Sequence, residues 1–148
     1  MGVRYKSAMQ SYTKRLEDVK DEHMKKLASA TQDFYTYLVE STPKDTSEAA
    51  NSWDISYTNN TPRADKSLAA GKRASQEEKQ AAAQAVSASQ NARLSAFMTG
   101  FVAQYKKGLR FYITNGANHI RDLEHGTSNQ QAAGWVALGL HKFKKDVE

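Results

Sequence analysis

Between Val3 and Thr42 the chain contains neither glycine nor proline, and large or amphipathic residues recur as Tyr5, Met9, Tyr12, Leu16, Val19 and His23. Steps of three and four put these residues on one side of a helix. The stripe runs on through Leu27, Ala30, Phe34 and Leu38. An uninterrupted helix over this span is roughly 50 Å long at about 1.5 Å per residue, longer than the core of one small domain requires. Part of the stripe must therefore meet another long element or another subunit. The helix has to finish by Thr42, because Pro43 lacks an amide donor and pushes the preceding residue out of the helical region.

Beyond a short polar stretch, Lys44 to Ser52, the pattern changes to alternation. Trp53, Ile55 and Tyr57 form one face and Asp54, Ser56 and Thr58 the other, the period of a half-buried strand. Asn59 to Arg63 are turn residues, and the segment up to Ala74 is small and polar, which predicts a mobile loop over about 59–74. Ser75 followed three residues later by Glu78 is a capping box that opens a second helix. That helix starts Ala-rich and nearly faceless, then acquires an apolar side at Leu94, Phe97, Met98, Phe101, Val102 and Tyr105, and ends at Gly108. Leu109 to Thr114 alternates again as a second strand, and Asn115 and Gly116 turn the chain. His119 to Glu124 suits a short helix stopped by Gly126. After the polar loop Thr127 to Ala133, the residues Trp135, Val136, Leu140, Phe143 and Val147 have helical spacing. The class is α+β: a long N-terminal helix, a small antiparallel sheet, a second long helix and a C-terminal helix, in a single domain over 1–148.

Composition narrows the function more than the fold. The chain has no cysteine, which removes disulfides, thiolate metal sites and cysteine nucleophiles. The N-terminal residues lack a signal-peptide core, and no stretch reaches the ~18 apolar residues that cross a bilayer, so no membrane partner is expected. A net charge of +5 favours acidic partners without requiring them, and it is spread out, with +3 over 61–96 and +2 over 97–140. Phosphate-cradling, dinucleotide, HExxH and GxSxG motifs are all missing from the sequence. The densest titratable cluster is His119, Asp122, Glu124 and His125, in which His119 and Asp122 lie one helical turn apart. A metal site needs more converging ligands than that pair, so helix-surface hydrogen bonding is the favoured reading. No cofactor and no enzymatic activity are expected.

Two separated motifs carry a resemblance. Thr42-Pro43-Lys44-Asp45-Thr46, followed by Asn51-Ser52-Trp53, resembles the T-P-x-D-T-G…N-S-W segment of the neck and tail-completion proteins of long-tailed bacteriophages. The run from Tyr112 to Ser128 is similar to that family's Y-I-x-N-N-x-P-Y-A-x-x-L-E-Y-G-x-S, and Gln130, Ala133-Gly134 and Val136 resemble its Q-A-P-A-G-M-V. This chain departs from the pattern at Ser47, which replaces a glycine, at Asn118 and Ala132, which replace prolines, and at His119 and His125, which replace tyrosines.

The resemblance implies a structural virion protein made in the host cytoplasm. It would form a ring, most often of six copies, that joins the head-tail connector to the tail terminator, with the genome DNA passing through the lumen. Pro43, Asp45, Thr46 and Trp53 are then motif or interface residues, with Asp45 or Thr46 as a cap. So are Asn115, His119, Leu123, Glu124, Gly126 and Trp135, with Leu123 in the core and Glu124 outward beside Arg121. Lys72, Arg73, Lys106, Lys107 and Arg110 are the candidates for the lumen wall. The alternative from another class is a small basic DNA-binding protein, and a metal-assisted hydrolase at His119 and Asp122 is a third.

Overall fold

The computed structural model describes residues 2–126 and 133–148, with side chains from Ser7 onward. Helix α1 covers Gly2–Ser41, followed by a single helical turn α2 (Glu48–Asn51) and strand β1 (Trp53–Ser56). Helices α3 (Gln76–Thr99) and α4 (Phe101–Lys106) lead to β2 (Tyr112–Asn115), and α5 (Ile120–Glu124) and α6 (Trp135–Val147) complete the chain. The α+β class holds. Gln130, Ala132 and Ser128, which contribute to the resemblance, lie outside the described residues.

The core forms where the two short strands meet the helices. β1 and β2 pair antiparallel with Trp53 opposite Asn115 and Ile55 opposite Ile113. Around them pack Tyr35, Leu38 and Val39 of α1, Phe97 of α3, Phe101 of α4 and Trp135 of α6. As the alternation predicts, Trp53 and Ile55 are buried, while Tyr57 stacks on Phe97 with ring centroids 4.1 Å apart. α6 runs antiparallel to the second half of α1. The Tyr37 hydroxyl donates to the Trp135 carbonyl at 2.7 Å, and Phe34 meets Phe143 at 5.3 Å. Gly139 is buried there because any Cβ would strike the Tyr37 ring.

Several boundaries differ from the sequence reading. The second long helix is two helices, broken at Gly100, whose backbone has φ −91° and ψ −3°. Phe97 and Phe101, on either side of the break, enter the same cluster. The polar stretch before Trp53 contains the unforeseen turn α2, and Asn115 belongs to β2 rather than to the turn after it. Leu140 is 40% exposed, because Gly139 instead takes the buried position on α6. The Ser75 cap is as expected, its hydroxyl accepting from the Glu78 amide at 3.1 Å.

Candidate functional site

The two motifs come together at Trp53. The first enters through Thr42, whose hydroxyl accepts from the Trp53 indole at 2.7 Å, while Pro43 is buried just beyond the end of α1. The chain then turns through Ser47, a non-glycine residue held at φ 66°, in the left-handed region that L side chains avoid. α2 is one turn long, so only the Glu48 and Ala49 carbonyls meet the Ser52 amide that follows it, and side chains from elsewhere bond Ala49, Ala50 and Asn51. Asn115 donates to Ala49 at 2.7 Å, Gln90 to Ala50 at 2.9 Å and Arg93 to Asn51 at 2.8 Å. The Trp53 carbonyl accepts from Tyr35, Gln90 and Arg93 at 2.9 to 3.0 Å. Burial pushes the Tyr35 phenol well above its ordinary value, with nearby Arg93 opposing that rise.

The second motif closes the junction from the other side. The side-chain oxygen of Asn115 accepts from the Ala117 amide at 2.9 Å, so one residue fixes both the α2 carbonyl and the turn after β2. Trp135 meets Trp53 edge to face at 6.3 Å, and its indole donates to the Leu123 carbonyl at 3.3 Å. Glu124 does not point outward beside Arg121. Its carboxylate accepts from the Val136 amide at 2.8 Å, in the first turn of α6, where the helix dipole favours an anion. Gly126 takes φ 92° after α5, a conformation that favours glycine.

Of the two expected caps, Thr46 serves, its hydroxyl accepting from the Glu48 amide at the start of α2 at 3.4 Å, and Asp45 does not. Ser47 occupies the cap position without a side-chain hydrogen bond, and Asp45 instead pairs with Lys79 at 2.8 Å. His119 is exposed at the N-terminal cap of α5, and Leu123 is half-buried. Both border an open cleft of about 800 Å³ together with Pro43, Thr46 and Ser47, and Lys66 and Lys72 stand on its loop side. The Ser47 hydroxyl and both polar atoms of the Asn51 side chain are buried without a hydrogen-bond partner.

The segment expected to be a mobile loop has no helix or strand, yet it is tied to this junction. The Asp65 amide donates to the Ser52 hydroxyl at 2.9 Å, and the Asp65 carboxylate pairs with Arg93 at 2.6 Å. The Ser67 hydroxyl and amide, with help from Arg93, hold the Asp65 carboxyl below its ordinary value. The Arg63 backbone lies against Gly116 with no room for a Cβ, and the Ala70 amide reaches the Thr46 carbonyl at 2.9 Å. These anchors are polar or backbone contacts, invisible to a search for an apolar period.

The five candidate lumen residues are exposed but do not form one patch. Lys106 borders a cleft with Glu17, Asp21 and Tyr105, whereas Lys72 lies beside Pro43, about 30 Å farther along the axis of α1. Among the described residues no group of three or more metal-ligating side chains converges, and no helix is long and apolar enough to cross a membrane.

A large surface feature lies away from the junction. Residues 7–22 are exposed on every side, so the first half of α1 projects as an arm. The first side-chain bond from the arm to the body is His23 Nδ1 to the Tyr105 hydroxyl, at 2.9 Å. Tyr35, Gln90 and Arg93, which organise the junction, escaped the sequence reading because their partners are carbonyls that only the fold brings near, and Asp65 because its partners Ser52 and Arg93 are distant in the chain. Comparison with known protein families, curated proteins and solved structures finds no match.

Proposed function

We propose that the protein is a structural component of the bacteriophage neck. It forms a ring, of six copies in this reading, that joins the head-tail connector to the tail terminator in the virion and has no catalytic role. The observation that carries the reading is that the two motif segments, far apart in the chain, form one joined unit. β1 and β2 pair through Trp53 and Asn115, and both segments border the same cleft. Ser47 adds support, since it takes a left-handed backbone at the position where the resembling pattern has glycine.

In this reading the junction holds the subunit's shape, and neighbouring copies meet its outer surfaces. Lys106, Lys107 and Arg110, close together in the chain and all exposed, remain the favoured lumen residues over Lys72 and Arg73. The DNA-binding alternative gains no support from the spacing of Lys72 and Lys106, which leaves no single basic face between them. Mass spectrometry of purified virions is the test. The chain is expected in mature particles at a ring's copy number, and its absence from them refutes the proposal.

A further inference from the structure

On the projecting half of α1, Met9, Tyr12, Leu16 and Val19 are 47, 64, 43 and 61% exposed. Their steps of three, four and three describe the narrow seam of a coiled coil, which takes a helix as its partner. The same seam continues toward the C-terminal end of α1 as Lys26, Ala30, Asp33 and Tyr37, and there it is occupied. α6 lies along it antiparallel, with Lys26 donating to the Glu148 carbonyl, Phe143 against Phe34, and the Tyr37 hydroxyl on the Trp135 carbonyl. The exposed residues thus continue a seam that already accepts an antiparallel helix.

We propose that the free stripe of α1 pairs with the same stripe of a second copy of the chain, antiparallel. Met9 then faces Val19 of the partner subunit and Tyr12 faces Leu16 of the partner subunit, so the four apolar side chains of each arm cover one another. A parallel pair is sterically excluded, because a partner helix continuing past its own residue 23 enters the volume that α6 fills. In the antiparallel register the apolar overlap spans 9–19, and the partner helix, which begins at residue 2, reaches only the level of Lys26, where α6 ends, instead of running alongside it. Outside the seam the arm is of mixed sign, with Lys14, Arg15 and Lys20 among Glu17, Asp18, Asp21 and Glu22. Neither a nucleic acid nor an anionic membrane selects such a surface. Arg15 meets its own copy across the two-fold axis, and this repulsion, with the short overlap, keeps the pairing weak.

The inference stands apart from the neck reading, since a two-fold contact does not close a ring. It describes the free chain, and either can fail without the other. The chain has no native cysteine, so single cysteines report the register cleanly. Sedimentation equilibrium of the full chain at tens of micromolar should show a dimer, and Leu16→Asp should weaken it by about 100-fold while leaving the unfolding transition of the body in place. A mixture of Met9→Cys and Val19→Cys chains should form the crossed disulfide. Met9→Cys alone should not cross-link, because in the antiparallel register its sulfurs are held about 15 Å apart along the axis. A monomeric wild-type chain, self-cross-linking of Met9→Cys, or association that survives Leu16→Asp would each overturn the proposal.

Discussion

The two halves of α1 carry the same stripe and meet opposite fates. Over 27–38 the stripe supplies Ala30 and Leu38 to the buried core and lays Phe34 against Phe143 of α6, whereas over 9–19 it supplies four of the large exposed apolar residues among those described. Periodicity is equal in the two halves, so it reports that a face is apolar without telling what covers it. What separates them is the return of the chain: α6 and the Trp53 junction pack on the second half only. A helix in water is marginal without tertiary packing, so the first half depends on continuity with the packed half and on any partner it meets.

Truncation on either side of the boundary gives the largest expected effect. Trp53→Ala removes a buried indole, leaves the Thr42 hydroxyl without its donor and opens a void beside Trp135. It should cost about 3–5 kcal/mol in urea unfolding. Tyr12→Ala, measured at a concentration where the chain is monomeric, should fall within about 0.5 kcal/mol of wild type. Comparable losses at the two positions would show that the arm is covered within its own chain and would dissolve the contrast.

That contrast also explains what the sequence disclosed. The bounds of α1, the Ser75 cap and the inward face of β1 follow from local rules: a proline stop, a hydroxyl at the right distance from an amide, an alternation of two. The break at Gly100, the turn α2 and the role of Glu124 do not, because each answers a demand that arises only after folding. Gln90 and Arg93 show why. On an Ala-rich helix they read as surface polar residues, yet they satisfy the carbonyls of Ala50, Asn51 and Trp53, which no local pattern marks as needing donors. Glu124 in turn belongs to an i, i+3 charge pattern with Arg121 in sequence and to a helix terminus in space. The cleft beside Ser47 was legible only as two motifs, with no indication that they share a wall.

A second test asks whether the packed half is free of local cost. Ser47 combines a left-handed backbone with a buried hydroxyl that has no partner, two expenses in the middle of the junction. Ser47→Gly removes both, and after the extra chain entropy of glycine it should raise stability by about 1 kcal/mol in urea unfolding. Ser47→Ala keeps the backbone strain and removes only the hydroxyl, so it should gain less. A loss on Ser47→Gly would mean that the hydroxyl is paired and the junction is better satisfied than its contacts indicate.

The smallest effect sharpens the comparison inside the body itself, between the tied and untied parts of the segment 59–74. Asp65 is bonded by Ser67 and Arg93, and its carboxyl is held below the ordinary value of 3.8. A depressed folded-state value means that the tether contributes fully above the ordinary value and is lost as pH falls through the lowered one. The pair is about one-third exposed, which limits its worth to about 1 kcal/mol or less. Exchange of the Asp65 amide, bonded to Ser52, should therefore be slow relative to an exposed amide near pH 5 and lose that protection as the solution is taken below about pH 4. At neutral pH, Asp65→Asn imitates the protonated state. It should speed tryptic cleavage after Arg63 and Lys66 several-fold while leaving cleavage after Lys72 and Arg73 unchanged, because the latter pair lies beyond the Ala70 anchor to Thr46. If all four sites accelerate together, the segment moves as one unit, and Asp65 holds the whole of it against the junction.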